Sequence, residues 1–216
     1  MKTKALIVNL IALTAIFSTN SAFANTKRGL AFNFKAPVSG VPSYTIGGAV
    51  RGDYCAVDRN NSQNMLAYVA DKAMTTQSHP SVVVQLPELN SDKTAYLVIK
   101  DATEDYYQEQ ILTVPAKGGR VEIALDKSKP GLEVGSNYKF FLRLQCDRVA
   151  RIEDPIIWGS ISRVEDKLKF SPKATLEERF MAYARKGLWY DALALAVRLD
   201  ELGDSKFFES LVSSLK

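Results

Sequence analysis

The chain has 216 residues, of which 46% are hydrophobic and 24% charged, close to the average for a globular protein. This composition excludes wholesale disorder and collagen-like repeats. A formal net charge of +4, without a long basic run, argues against nucleic-acid binding. One histidine and two cysteines exclude most zinc sites and most Ser-His-Asp or Cys-His catalysis.

The N-terminal segment, residues 1–24, has the three parts of a secretory signal peptide. Two lysines give a positive start, an apolar stretch follows, and Ala22 and Ala24 supply small residues before the cleavage site. The apolar stretch is too short for a membrane anchor, which needs about 20 apolar residues. We therefore expect cleavage between Ala24 and Asn25. The mature protein is expected to be periplasmic or secreted and to have no membrane span.

Export changes the interpretation of the two cysteines. Cys55 and Cys146 form an even pair in an oxidising compartment, a pattern that favours a disulfide bond. Closing a loop of this length is worth roughly 4–5 kcal/mol in the chain-entropy model. The alternative is two unrelated buried thiols. A redox motif is not expected, because the chain has no C-x-x-C spacing.

The mature chain begins with residues 25–43, which are predicted to be a tail or linker. Residues 44–170 follow as a predicted β-sandwich domain. The glycines in the strand-like run 44–55 indicate a bulge or a close backbone approach. They do not form a dinucleotide fingerprint, because no amphipathic helix follows them. Within the polar segment after this run, residues 65–70 are predicted to form a short strand or turn.

Six later stretches have the composition and spacing of β-strands. Apolar residues alternate within them, so that Ala95, Leu97 and Ile99 share one face. Such strands between regular turn signals predict an antiparallel, immunoglobulin-like Greek-key sandwich. The predicted strands are 81–86, 94–101, 110–114, 119–125, 138–146 and 156–164.

The spacing of Leu132, Gly135 and Tyr138 is typical of a tyrosine corner. In this motif a tyrosine at the start of a strand turns its hydroxyl back to the backbone of the preceding loop. The alternative is an ordinary tyrosine at the start of a strand.

After Pro172 the apolar period changes from two to 3.6 residues, which predicts helices within residues 173–216. Thr175 and Glu178 have the spacing of a capping box, and a glycine follows each of the first two predicted helices. Asp204 is predicted to cap a third helix. This helical hairpin plus one helix is too short to form a core alone, so it should pack on the sandwich or on a partner. The predicted fold class is α+β.

Three stretches, in this order and spacing, resemble one bacterial family, domain of unknown function 928. They are GGAVRG at 47–52 followed by Cys55, the segment 132–147, and the segment 178–193. The family comprises exported proteins without an assigned activity, so the resemblance implies an architecture and supplies no catalytic residues. Residues 182–192 also resemble half of a tetratricopeptide repeat, which implies a helical hairpin and, more weakly, partner binding.

No catalytic, cofactor-binding or metal-binding residue is predicted. His79 precedes a proline in a polar loop and is interpreted as a surface residue rather than a base or ligand. Residues 104–107 mix carboxylates and tyrosines, but a hairpin tip is favoured over a calcium or sugar site because no spaced ligand loop is present. Residues 147–154 are interpreted as a solvated loop with local ion pairs.

The helix–helix turn carries Trp189 and Tyr190. They are interpreted either as anchors that dock the helices or as a ligand-stacking platform, which makes them the candidate interaction surface. The favoured hypothesis is a non-enzymatic binding or accessory module of the cell envelope that recognises an envelope protein or glycan. The alternative is a carboxylate-dependent hydrolase such as a glycosidase, which needs an acid–base pair in a cleft.

Overall fold

The computed structural model describes residues 55, 57, 65–70, 73–151 and 154–215. The predicted signal peptide 1–24, its cleavage site between Ala24 and Asn25, and the tail 25–43 lie outside the described residues.

The described residues form an α+β fold in which two β-sheets are followed by three helices. One sheet has the strand order β1-β3-β6 and the other β2-β8-β7-β4-β5. The elements are β1 (Leu66–Ala67), β2 (Met74–Thr75), β3 (Ser81–Leu86), β4 (Lys93–Asp101), β5 (Tyr107–Val114), β6 (Gly119–Ala124), β7 (Asn137–Gln145), β8 (Ile156–Arg163), α1 (Leu176–Arg185), α2 (Trp189–Glu201) and α3 (Lys206–Ser213).

The connections confirm the predicted immunoglobulin-like sandwich. Strands β4 and β5 form a hairpin in the five-stranded sheet, as do β7 and β8. The chain crosses between the sheets after β1, β2, β3, β5 and β6, and the long strands β3 to β8 have Greek-key connectivity. All pairs are antiparallel except β2 with β8, which is parallel.

The six predicted strands are confirmed, with β5 beginning three residues earlier than predicted, at Tyr107. Alternation places Ala95, Leu97 and Ile99 in the core, with 0%, 1% and 2% of their surfaces exposed. The two-residue strands β1 and β2 are too short to show alternation. The first falls within the predicted strand or turn at 65–70, and the second was not predicted.

The tyrosine corner is present. The backbone N–H of Glu133 donates to the hydroxyl oxygen of Tyr138 over 2.8 Å. Gly135, between them, has a φ of +89°, a conformation that side chains disfavour. The hydrogen bond fixes the loop that carries the chain into β7.

Strand β5 forms one edge of the five-stranded sheet. The end of β6 and the segment after it cover part of this edge. The Lys129 ammonium donates to the Glu109 carbonyl, and the Gln110 side-chain amide donates to the Ala124 carbonyl over 3.2 Å. These side chains occupy positions where another strand would pair.

Helix α1 begins with the predicted capping box. Thr175 accepts from the Glu178 backbone N–H over 3.2 Å, and the Glu178 carboxylate accepts from the Thr175 N–H over 3.0 Å. The helix ends at Arg185, and Gly187, two residues later, has a φ of +71°. The Leu188 N–H then reaches back to the Tyr183 carbonyl over 3.0 Å, which is the long hydrogen bond of a Schellman motif.

The prediction that Asp204 caps the third helix is wrong. Its backbone N–H donates to the Leu199 carbonyl over 2.9 Å, so Asp204 completes a Schellman motif that closes α2. Its carboxylate pairs with Lys206 at 2.6 Å. Helix α3 therefore begins one residue later than predicted, with Ser205 as N-cap.

The helices pack on the sandwich, as predicted. The Trp189 indole N–H donates to the Tyr68 carbonyl over 2.9 Å, and the Tyr190 hydroxyl donates to the Ser160 carbonyl over 2.6 Å. The buried apolar residues of the helices and the sheets form one continuous core.

Two charged residues of α2 also reach the sandwich. Asp191 is 5% exposed, and its carboxylate accepts from the Thr76 N–H over 2.9 Å and from the Thr76 hydroxyl over 2.6 Å. Asp200 pairs with Arg120 of β6, whose guanidinium lies 4.0 Å from the centre of the Phe208 ring. These contacts join the helical region to both sheets.

Candidate functional site on the outer face of the five-stranded sheet

Trp189 and Tyr190 are not an interaction surface, which corrects the sequence-based candidate. Their exposed fractions are 0% and 1%. Burial raises the pKa of the Tyr190 hydroxyl well above its ordinary value. The two side chains anchor the helices because they are buried against the β-sandwich of the same chain.

The two cysteines lie at disulfide distance. The Cα atoms of Cys55 and Cys146 are 5.0 Å apart, within the range that a disulfide requires. Their pairing would join the segment that precedes β1 to the end of β7.

The loop after Cys146 differs from the sequence interpretation at one residue. Asp147 and Arg151 form the expected local ion pair at 2.8 Å. Asp154, however, is only 6% exposed. Its carboxylate accepts from the backbone N–H groups of Cys146 over 3.2 Å and Arg151 over 2.9 Å. This carboxylate therefore has a structural role in closing the loop.

His79 and the acidic segment 104–107, the other candidates from the sequence, also have structural positions. His79 is half-buried, with one ring nitrogen 2.9 Å from the Lys129 carbonyl and the other 3.1 Å from the Ser78 hydroxyl. Residues 102–106 form the tip of the β4–β5 hairpin, where Glu104 has a φ of +63°. Within the ranges that the structure describes, no cluster of His, Cys, Asp or Glu could hold a metal ion. No helix in those ranges is long and apolar enough to cross a membrane.

The candidate site is the side of the five-stranded sheet that faces away from the core, here called the outer face. Three registered rows of side chains cross β5, β4, β7 and β8 on this side. The rows are Tyr107–Lys100–Lys139–Ser160, Glu109–Val98–Phe141–Trp158 and Ile111–Tyr96–Arg143–Ile156. Apolar and aromatic side chains thus form its middle, and cations lie among them.

A shallow groove of about 400 Å³ lies on the outer face. Three apolar residues at the face are well exposed: Tyr107 at 55%, Ile111 at 65% and Ile156 at 39%. A second depression of about 460 Å³ adjoins the groove and shares Lys100 and Phe141 with it. The groove is lined by Tyr96, Val98, Lys100, Tyr107, Glu109, Phe141, Arg143 and Ile156.

Cations cover the aromatic rings of the groove. The Arg143 guanidinium carbon lies 4.9 Å from the centre of the Tyr96 ring, and the Lys100 ammonium lies 5.9 Å from that of Phe141. Such contacts hold a cation above a ring by electrostatic attraction. The Arg143 Nε atom is buried and has no hydrogen-bond partner within the described part of the chain.

Glu109 is the one carboxylate among the described residues that line the groove. It accepts a hydrogen bond from the Tyr107 hydroxyl at 3.2 Å. Desolvation, followed by the Glu109 charge, raises the pKa of Tyr107, so this hydroxyl stays protonated and can donate. The arrangement provides hydrogen-bond donors and cations rather than a pair of catalytic carboxylates.

Two carboxyl groups elsewhere have lowered pKa values. Hydrogen bonds from Ser128 lower the pKa of Asp126, and a hydrogen bond from Thr175 lowers that of Glu177. A catalytic acid requires a shift in the opposite direction. These two groups stabilise a turn and a helix start.

The outer face was not predicted from the sequence. Its residues come from four strands, and only the register of the sheet brings them together. The available signal lies in the outward-facing half of each alternation. There, aromatic, aliphatic or basic residues replace the usual small polar ones, as in Tyr96 and Val98 of β4 or Phe141 and Arg143 of β7.

Comparisons with known proteins give a family and weak likenesses to solved structures. The family model described as "Domain of Unknown Function (DUF928)" matches residues 46–208. No curated protein matches the chain. Among solved structures, the chain is similar to the third fibronectin III domain of human KIAA0343 protein, at 13% identity and a TM-score of 0.26, over 52% of this chain and 85% of that chain.

Proposed function

We propose that this chain is an exported binding module without catalytic activity. The chain belongs to the family of unknown function DUF928. The binding surface is the outer face of the five-stranded sheet. The helical region stabilises the sandwich and leaves that face uncovered at Tyr107, Ile111 and Ile156.

The observation that carries this proposal is the chemistry of the outer face. Aromatic and arginine side chains are enriched where proteins bind partners. Here Tyr96, Phe141 and Arg143 lie side by side on a rigid sheet rather than on a loop. Exposed apolar side chains next to them mark the face as a site of interaction.

Export is part of the proposal and is supported by the signal-peptide pattern of residues 1–24. The disulfide-distance pair Cys55 and Cys146 is consistent with an oxidising destination. A carboxylate hydrolase receives no support from the outer face, because Glu109 is the one acid among its described groove residues.

Site-specific photo-crosslinking in the producing cells tests the proposal. A photo-reactive amino acid replaces Ile111, which is 65% exposed on the outer face, and in a control protein it replaces Leu202, which is 71% exposed after α2. We expect the Ile111 position to give a discrete adduct that the Leu202 position does not give.

The second substitution Phe141→Ala in the Ile111 protein should abolish the adduct, because it removes the centre of the face. Equal labelling from Ile111 and Leu202, or no adduct from either, would contradict binding through this face. Glycan or peptide turnover that Glu109→Gln abolishes in a folded protein would contradict the non-catalytic assignment.

A further inference from the structure

The outer face carries a charge arrangement that folding does not require. Lys100 and Lys139 lie directly opposite each other on β4 and β7. Like charges in this position destabilise a sheet. Lys100 is neutralised by Glu104 from the hairpin tip. Lys139 is exposed and has no ion-pair partner among the described residues. Arg143, which is partly exposed on the same strand, has none among them either.

Arg143 lies against the Tyr96 ring, which restricts its side chain. The guanidinium carbon lies 4.9 Å from the ring centre, and this contact limits the side chain's freedom, so less freedom is lost when its donors bind a ligand. A guanidinium presents parallel N–H groups that match a carboxylate in two-point contact. The opposed Lys100 and Lys139 and the restricted Arg143 side chain therefore favour a ligand that carries carboxylates.

The apolar part of the groove decides between ligand classes. Sugars bind aromatic residues by stacking on an open ring face, but Lys100 and Arg143 lie over the rings of Phe141 and Tyr96. Exposed aliphatic side chains such as Ile111 and Ile156 instead match apolar side chains of a polypeptide. A second copy of this chain does not fit through the same face, since it would bring like cations together.

We infer that the outer face binds a short, extended acidic polypeptide segment that also carries apolar side chains. This inference rests on the proposed function and names the ligand class. Three rows of residues on four strands span roughly 14 Å in each direction between the outermost Cα positions. An extended segment of about four or five residues crosses that distance.

Binding assays on the full mature chain test the inference with three probes. They are a random copolymer of glutamate and tyrosine, poly-L-glutamate, and polygalacturonate as an acidic glycan. We expect the copolymer to bind most tightly and to lose affinity as ionic strength rises, because exposed charges are screened by salt.

The double substitution Arg143→Gln with Lys139→Gln should weaken copolymer binding at least about tenfold. The matched control is Arg185→Gln with Lys186→Gln, which removes the same charges from exposed positions at the end of α1 and should change affinity less than about twofold. The single substitution Lys139→Glu, at an exposed position, should also weaken copolymer binding. It replaces the double variant in the assay if that variant does not fold.

Three results would overturn the inference. One is equal affinity of the outer-face double variant and the α1 control. Another is poly-L-glutamate binding as tightly as the copolymer. The third is polygalacturonate binding through Arg143 while the copolymer does not bind, which would leave the proposed function standing with a glycan ligand. Absence of a crosslinked adduct at Ile111 would instead remove the proposed function itself.

Discussion

The carboxylate of Asp191 accepts two hydrogen bonds from Thr76, a residue 115 positions earlier in the chain, and both partners are buried. One donor is the backbone N–H that follows β2, and the other is the threonine hydroxyl. A side chain near the start of a helix therefore fixes the short strand that joins the edge of the five-stranded sheet. Several stability measurements can test contacts of this kind.

The first prediction concerns Asp191→Asn. The substitution removes the charge and one acceptor oxygen, so we expect the free energy of unfolding to fall by about 1.5–3 kcal/mol. Glu201→Gln, at an exposed position of the same helix, should change it by less than about 0.5 kcal/mol. Denaturant unfolding measures both. Equal effects of the two substitutions would show that the Thr76 contact does not hold the helix in place.

The second prediction concerns the tyrosine corner. Tyr138→Phe keeps the buried ring but leaves the Glu133 N–H without its acceptor. We expect a loss of about 1–3 kcal/mol in unfolding free energy. Tyr107→Phe, on the exposed outer face, should cost far less. A Tyr138→Phe protein as stable as the wild type would contradict a structural role for this hydrogen bond.

The third prediction concerns the cysteines. Peptide mapping of the protein purified without reductant should recover Cys55 and Cys146 in one linked peptide. Replacing both with serine should lower the unfolding free energy by roughly 4–5 kcal/mol, because the sequence separation of 91 residues closes a long loop in the unfolded chain. Recovery of both cysteines as free thiols would exclude the bond.

The fourth prediction concerns alkaline pH. Desolvation, with a smaller contribution from Tyr138, raises the pKa of Tyr106 to about 12. The folded state therefore favours the neutral phenol, and this contribution to stability is complete below pH 10 and is lost as the pH rises toward 12. Ultraviolet difference spectra of wild type and Tyr106→Phe should place the missing ionisation near pH 12. A midpoint near 10 would contradict the environment seen here.

The fifth prediction uses two adjacent glycines, Gly118 before β6 and Gly119 at its start. A Cβ on Gly118 would lie 2.1 Å from the Pro87 carbonyl oxygen, and its φ is +62°. Gly118→Ala should therefore destabilise the protein by about 3 kcal/mol or more. At Gly119 an added Cβ has open space, and only the φ of +89° is strained. Gly119→Ala should therefore lower the free energy of unfolding by about 1–2 kcal/mol. Thermal unfolding that ranks them in the opposite order would contradict the close approach at Gly118.

Local patterns predicted much of this fold. Alternation identified the long strands and their buried faces, and Thr175 with Glu178 identified the start of α1, because these signals come from residues near one another in the chain. The burial of Trp189 and the Thr76–Asp191 contact could not be read in this way, since an apolar pattern does not say which surface will cover it. The outer face depends on register between four strands, which one sequence does not reveal.

The covered edge of β5 has a consequence for handling the protein. The Lys129 ammonium occupies the Glu109 carbonyl, and a lysine placed there deters the strand-to-strand growth that begins amyloid-like assembly. Acetylation of Lys129 or the substitution Lys129→Ala would remove this contact and leave Ile111 exposed on β5. Concentrated samples so treated are expected to form fibrils earlier than untreated ones, with thioflavin fluorescence as the indicator.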